Sequence, residues 1–115
     1  MAGSKTMYIA EATLGYLGGT GRLKAMIGAR NFLALSETDK IRGGVSFTLP
    51  AFGKPRVNVI KIELNGGDLY DVYFYFLRAG KLKTVAEEKD VFCDQLREVI
   101  ERNTGLYLSM GKVYA

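Results

Sequence analysis

The sequence has no histidine and only one cysteine, Cys93. Histidine is the usual general base near neutral pH and the commonest transition-metal ligand, so its absence removes both roles. Cys93 has no second cysteine for an intramolecular disulfide and no histidine to activate it, which favours a half-buried structural residue over a nucleophile. We therefore expect a protein that is not an enzyme and that binds no metal or cofactor.

Long apolar runs are missing as well. No stretch approaches the roughly 18 apolar residues of a membrane-spanning helix, and the N-terminus lacks the apolar core of a signal peptide. The apolar share of 48% and the charged share of 24% are ordinary for a globular chain. These features predict a soluble, cytoplasmic protein.

The 115 residues also contain no linker and no internal repeat, which indicates a single domain. We expect residues 1–6 to be a flexible start and residues 7–115 to form one domain. Lysine and arginine number 16 against 12 acidic residues, and the net charge of +4 makes an anionic partner plausible without requiring one.

Helical periodicity is present near both ends. Apolar residues three and four apart predict a helix from Met7 to Leu17, capped by Thr6 and ended by Gly18 and Gly19. A second helix should begin after Asp90 and end at Gly105, with a buried stripe of Phe92, Leu96, Val99 and Ile100. The last residues, 106–115, are apolar enough to pack but define no element.

Between these helices the apolar residues alternate, which is typical of strands. Alternation covers residues 22–29, 45–49 with an end at Pro50, 56–64, 69–77 and 81–86, whereas 31–36 is ambiguous and 51–55 is predicted to be a loop. The sequence Asn65-Gly66-Gly67-Asp68 predicts a tight hairpin, and a bulge near Val59 would reconcile two phases within one strand. The predicted fold is α+β: an N-terminal helix, an antiparallel meander of four or five strands and a C-terminal helix, with both helices on one sheet face.

The strand phases divide the sheet into two faces. The face under the helices should carry Ile60, Ile62, Leu64, Tyr70, Val72, Phe74, Phe76 and Leu82. The other face should carry Ser46, Thr48, Glu63, Asp71 and a set of cations and tyrosines, namely Arg22, Lys24, Lys61, Tyr73, Tyr75, Lys81 and Lys83. Bases of a single-stranded nucleic acid stack on aromatic rings while cations follow the phosphates, so this second set is the candidate nucleic-acid site.

Two alternatives remain open for the same face. Tyrosine is a strong strand former, and an exposed sheet face normally mixes it with lysine, threonine and glutamate. Tyrosine is also enriched at protein interfaces, so the face could bind a second copy or a host protein. Glu63 and Asp71 count against strong phosphate binding.

Two other motifs have simpler explanations. The run Gly18-Gly19-Thr20-Gly21 has glycines like those of a phosphate loop, but it follows a helix and precedes a predicted strand, whereas a phosphate loop follows a strand. Glu87, Glu88, Asp90 and Asp94 are interspersed with cations and are better explained as solvated charges than as ligands of a hard metal ion.

The chain resembles a family of small uncharacterised proteins found mainly in bacteriophages and related mobile elements. The resemblance spans most of Met7 to Ser109 and is carried by LGYLGG, LKAMIGARNF, VSFTLP, VNVIKIELNGGDLYDVYF and KLKTVAEEKDVFCDQLREVIERNTGLYLS. It implies a phage or mobile-element origin and a bacterial host cell, but no residue roles. It is equally compatible with DNA handling and with inhibition of a host defence protein.

Overall fold

A computed structural model describes residues 2–52 and 57–106, with side chains described from residue 7 to 50 and from 57 to 106. The elements in chain order are α1 (Ala2–Tyr16), α2 (Gly19–Ile27), β1 (Arg30–Leu35), β2 (Ile41–Phe52), β3 (Val57–Asn65), β4 (Tyr70–Arg78), β5 (Lys81–Val91), a 3₁₀ turn (Cys93–Gln95) and α3 (Leu96–Thr104). The five strands form one antiparallel sheet in the order β1-β2-β3-β4-β5. The predicted α+β meander with terminal helices is confirmed.

All three helices pack on the same face of this sheet and form one core with it. From the helices and the turn between α1 and α2, the core takes Ala10, Leu14, Leu17, Leu23, Ile27, Leu96, Val99 and Ile100, and from the strands Val45, Phe47, Leu49, Val57, Ile60, Ile62, Tyr70, Val72, Phe74 and Val91. The sheet therefore has an inner face, under the helices, and an outer face that no described helix covers. Within the described ranges, no helix is both long and apolar enough to cross a membrane.

The largest error of the sequence analysis is the segment Arg22–Ala29, which was predicted to be a strand and is mostly helix α2. Leu23 and Ile27, four residues apart, are buried against the core, whereas the residues between them are more exposed. A short segment can satisfy a period of two and a period of 3.6 at once, and tertiary packing selects the helix. Gly28 ends it in the left-handed conformation, with its N–H donating to the carbonyl of Lys24 at 3.1 Å.

The ends of the other two helices also differ from the prediction. Helix α1 begins at Ala2, so Thr6 lies within it and is not its N-cap, although the predicted turn at Gly18 is present. Asp90 belongs to β5 with a φ of 56° and does not cap α3, which starts only at Leu96. Gly105 ends α3 as predicted, in the left-handed conformation with its N–H bonded to the carbonyl of Glu101.

The strands agree more closely with the prediction, and the ambiguous segment 31–36 is largely strand β1. The predicted bulge near Val59 is confirmed, because the β2–β3 register shifts opposite Val57–Val59. At this bulge, the Asn58 side-chain amide donates to the Leu77 carbonyl at 2.9 Å and accepts a hydrogen bond from the Leu77 N–H at 2.7 Å. Strand β2 continues past Pro50 to Phe52, so the predicted end at Pro50 and the predicted start of a loop at residue 51 are wrong. The rest of that predicted loop, from residue 53, and the predicted segment 107–115 lie outside the described residues, as does residue 56 of the next predicted strand.

Helix α3 is fastened to β5 through Glu88. The Arg102 guanidinium donates to Glu88 at 2.6 Å, and the Asn103 amide donates to the same carboxylate. Burial alone would raise the pKa of Glu88, but the hydrogen bonds from Arg102 and Asn103 outweigh it and lower the pKa. The ionised form of Glu88 is therefore stabilised by folding.

We predict that Glu88→Gln lowers the free energy of unfolding at neutral pH by about 1 kcal/mol, because it removes one partner of this ion pair. Since the folded pKa lies below the unfolded value near 4.5, the Glu88 contribution is fully present above pH 4.5 and disappears as the pH falls through the folded pKa. Thermal unfolding of both proteins from pH 7 to pH 3 should show the difference shrinking. Glu98→Gln is the matched control, since Glu98 is mostly exposed and lies 3.6 Å from Arg102; an equal loss there would contradict the assignment.

Close approach of β2 to β3 depends on Gly44. Its φ of 157° is unfavourable for a side chain, and a Cβ placed there would lie 2.0 Å from the Ile62 carbonyl oxygen. We predict that Gly44→Ala destabilises the fold by about 2 kcal/mol, measured by urea unfolding. Gly66→Ala is the control, because a Cβ there would meet nothing within 4 Å, and a similar loss in both variants would refute this explanation.

Candidate functional site

The register of the strands decides which side chains share the outer face, because directly opposed residues of antiparallel strands point to the same side. One row across the sheet joins Ser46, Lys61, Tyr73 and Glu87. The neighbouring row joins Thr48, Val59, Tyr75 and Thr84. Three of the seven predicted site residues, Lys61, Tyr73 and Tyr75, are therefore brought together at the centre of the outer face.

These three side chains form a compact group. The rings of Tyr73 and Tyr75 are nearly parallel, with 6.2 Å between centroids and 12° between planes. The ammonium nitrogen of Lys61 lies over both rings, 4.7 Å from the Tyr73 centroid and 5.6 Å from the Tyr75 centroid. This is cation–π geometry, so Lys61 already occupies one face of each ring.

The charge of Lys61 is also engaged by a carboxylate. Its nitrogen lies 3.3 Å from the Glu63 carboxylate. Partial burial acts to lower the pKa of Lys61, but the hydroxyl of Tyr75 and the charge of Glu63 act more strongly in the other direction, so the pKa is raised. Lys61 is therefore a paired and firmly protonated cation.

Acidic residues surround the Tyr73 side of the group. Burial raises the pKa of the Tyr73 phenol, and the charges of Glu63, Asp71 and Glu87 raise it further, while Lys61 opposes them. The centre of the outer face thus holds one lysine against three carboxylates. The face is not the basic surface that the sequence predicted.

The other four predicted cations lie elsewhere. Arg22 and Lys24 are on α2, which packs against the inner side of the sheet, so they are not on the outer face. On β5, the register shifts by one residue between the pairs Phe74–Ala86 and Tyr75–Thr84. The shift places Lys83 opposite Phe76 and Lys81 opposite Arg78, which point to the inner side of the sheet.

The same shift moves Leu82 in the opposite direction. It was predicted to face the helices, but it pairs with Leu77 on the outer face and is 56% exposed. Leu77 is 44% exposed. Together with Val59 and Tyr75, these leucines form an apolar end of the outer face beside the β4–β5 turn. Sequence alternation alone misses it, because a bulge inverts the alternation without leaving a glycine or proline signal.

The described residues contain no group of three or more acidic, cysteine or histidine side chains placed to hold a metal ion. Comparison of the chain with family models, with curated proteins and with solved structures gave no match. The resemblance to small phage proteins therefore stays a prediction, and the chemistry of the outer face must be argued from its own residues.

The balance of charges around Tyr73 can be measured. We predict that Lys61→Met raises the pKa of the Tyr73 phenol, because the cation that favours the phenolate is lost, and that Glu63→Gln lowers it. NMR titration of the Tyr73 ring between pH 8 and pH 12 measures both shifts. Shifts of the same sign in the two variants would contradict the geometry described above.

Proposed function

We propose that the chain is a non-enzymatic binding module that associates with a second copy of itself through the outer sheet face. The observation that carries this proposal is the exposed apolar end of that face, where Leu77 and Leu82 adjoin Tyr75 and Val59. Exposed leucines beside tyrosine are typical of the centre of an interface and are costly to leave in water.

The arrangement of charge favours a second copy as the partner. The apolar end is uncharged, whereas Glu63, Asp71 and Glu87 lie toward the opposite end of the face. A two-fold axis through the apolar end would place Leu77 and Leu82 of both copies together. The carboxylates of each copy would then lie at opposite rims in water, away from one another.

The size of the face is compatible with a weak dimer. Five strands spaced about 4.8 Å apart give a width of about 19 Å, and the nine residues of β4 give a length of about 30 Å. The whole outer face thus measures about 600 Å² per copy, below the roughly 800 Å² per partner of a standard interface, and a dimer centred on the apolar end would cover only part of it. We expect the dimer to form and dissociate as the protein concentration varies through the micromolar range.

Sheet edges are less suited to this role. Strand β5, at one edge, carries three lysines, two glutamates and an aspartate and is interrupted by two register shifts. Strand β1, at the other edge, is six residues long and has its own shift near Asn31. Charges, bulges and short length all discourage edge-to-edge pairing.

Single-stranded nucleic acid is the second candidate, because Lys61, Tyr73 and Tyr75 do come together. Three observations weigh against it. Four of the five predicted cations are off the outer face, and Lys61 already covers one face of each ring, so fewer ring faces are open to a base. Three carboxylates would also repel phosphate.

We predict that the wild-type chain shows a mass that increases with concentration in sedimentation equilibrium, and that Leu82→Lys remains monomeric at least tenfold higher in concentration. The substitution places a charge in the apolar end of each copy, which must then be desolvated. Its fold should be retained, because Leu82 is exposed.

Phe92→Lys is the matched control, since Phe92 is 57% exposed and follows β5 rather than lying on the outer face. It should dimerise like the wild type. A wild-type chain that is monomeric at all concentrations, or equal loss in both variants, would overturn the proposal. Salt-sensitive binding of a labelled single strand that is lost in Lys61→Met would replace it with the nucleic-acid function.

A further inference from the structure

A small open pocket lies away from the outer face, between α1, the end of the β3–β4 hairpin and the 3₁₀ turn. Its volume is about 250 Å³, and its lining consists of Tyr8, Ile9, Ala12, Tyr16, Leu64, Asp68, Tyr70 and Cys93. This is smaller than the roughly 300–1,000 Å³ of pockets for drug-sized ligands. The pocket fits one compact chemical group.

Three of the lining residues are tyrosines, and two of them meet almost at a right angle. The rings of Tyr16 and Tyr70 have centroids 6.3 Å apart and planes inclined by 70°. Tyr70 is buried, with its hydroxyl 3.3 Å from that of Thr13, so it forms a fixed wall. The two steeply inclined rings thus form adjoining walls of the pocket.

The third ring, Tyr8, lies about two turns of α1 before Tyr16 and is 73% exposed. Such exposure contributes little to the stability of the fold, since most of the ring remains in water. Tyr16 is also 45% exposed, with the thiol of Cys93 beside its phenol. Two accessible rings and one buried ring thus converge on the same pocket.

Charge in the lining is of one sign. Although the chain has a net charge of +4, no lysine or arginine is among the described residues that line the pocket, and their single carboxylate is that of Asp68. Asp68 forms an ion pair with Arg42, so the guanidinium partly neutralises the charge of this carboxylate. The attraction for a cation would therefore come mainly from the negative faces of the three rings.

We propose that this pocket binds a quaternary ammonium group. Such a cation is bulky and weakly hydrated and needs no hydrogen-bond acceptor, which matches a pocket of aromatic rings with one shared carboxylate. A primary ammonium would exchange its hydrogen bonds to water for those to a carboxylate already paired with Arg42 and to phenol oxygens, whereas a quaternary ammonium has no such bonds to lose. The head group occurs both on choline-like small molecules and on trimethylated lysine side chains, and the pocket chemistry suits both.

The test uses the full chain and isothermal titration with choline and with 3,3-dimethyl-1-butanol, its uncharged carbon analogue. Choline should bind at least tenfold more tightly than the analogue, because the two have nearly the same shape and only choline carries charge. A peptide bearing trimethyl-lysine, titrated in parallel, distinguishes the two sources by which of the two ligands binds more tightly.

Variants of the exposed ring locate the binding. Tyr8→Ala should weaken choline binding about three- to tenfold, whereas Tyr8→Phe should retain it because the aromatic face is kept. Tyr73→Ala, which changes a tyrosine on the outer face, should leave it unchanged. Equal binding of the uncharged analogue, no saturable binding of either ammonium ligand, or undiminished binding by Tyr8→Ala would overturn the proposal.

Discussion

The packing of three helices on one face of a twisted meander is the constraint on which the rest of the molecule depends. Ile60, Ile62, Val72 and Phe74, from the two central strands, are almost completely buried under these helices. Because side chains of a strand alternate, fixing this inner face also fixes the outer one. Lys61 and Tyr73 are on the outer face because their neighbours are in the core. The helices thus determine the outer face without contacting it.

Departures from that regularity explain the distribution of exposed apolar groups. The register shift on β5 turns Leu82 outward, so that it pairs with Leu77 beside Tyr75, and directs Lys81 and Lys83 to the inner side. An outer face with both lysines would have carried three lysines against the three carboxylates, and so more cations to contact phosphate. With Leu82 in place of these lysines and with three carboxylates near Tyr73, the outer face has an apolar end joined to an acidic end. One extra residue in β5 therefore sets whether a leucine or two lysines lie at this end of the outer face.

The outer face and the tyrosine pocket use the same residue type in different ways. Tyr73 and Tyr75 lie parallel under the ammonium group of Lys61, so a cation from within the chain already satisfies their rings. Tyr16 and Tyr70 meet at a steep angle, and the described part of the pocket lining contains no lysine or arginine. The first pair is a self-contained surface, whereas the second leaves room for a cation from outside. The two proposals therefore rest on different residues and can fail independently.

The sequence by itself determined the fold class, the strong strands of the β3–β4 hairpin, the stripe Leu96, Val99 and Ile100, and the glycine ends of the helices, since these follow from local periodicity and backbone preference. The alternation of side chains in two strands also predicted that Lys61 lies on the same face as Tyr73 and Tyr75. Only the tertiary structure decided that Arg22 and Lys24 belong to a helix, because a short segment fits both periods and packing against α1 selects one. It likewise decided the side on which Lys81, Leu82 and Lys83 lie, since this bulge is set by pairing with β4 and, unlike the one near Val59, was not marked by a recognised break in the alternation of the strand.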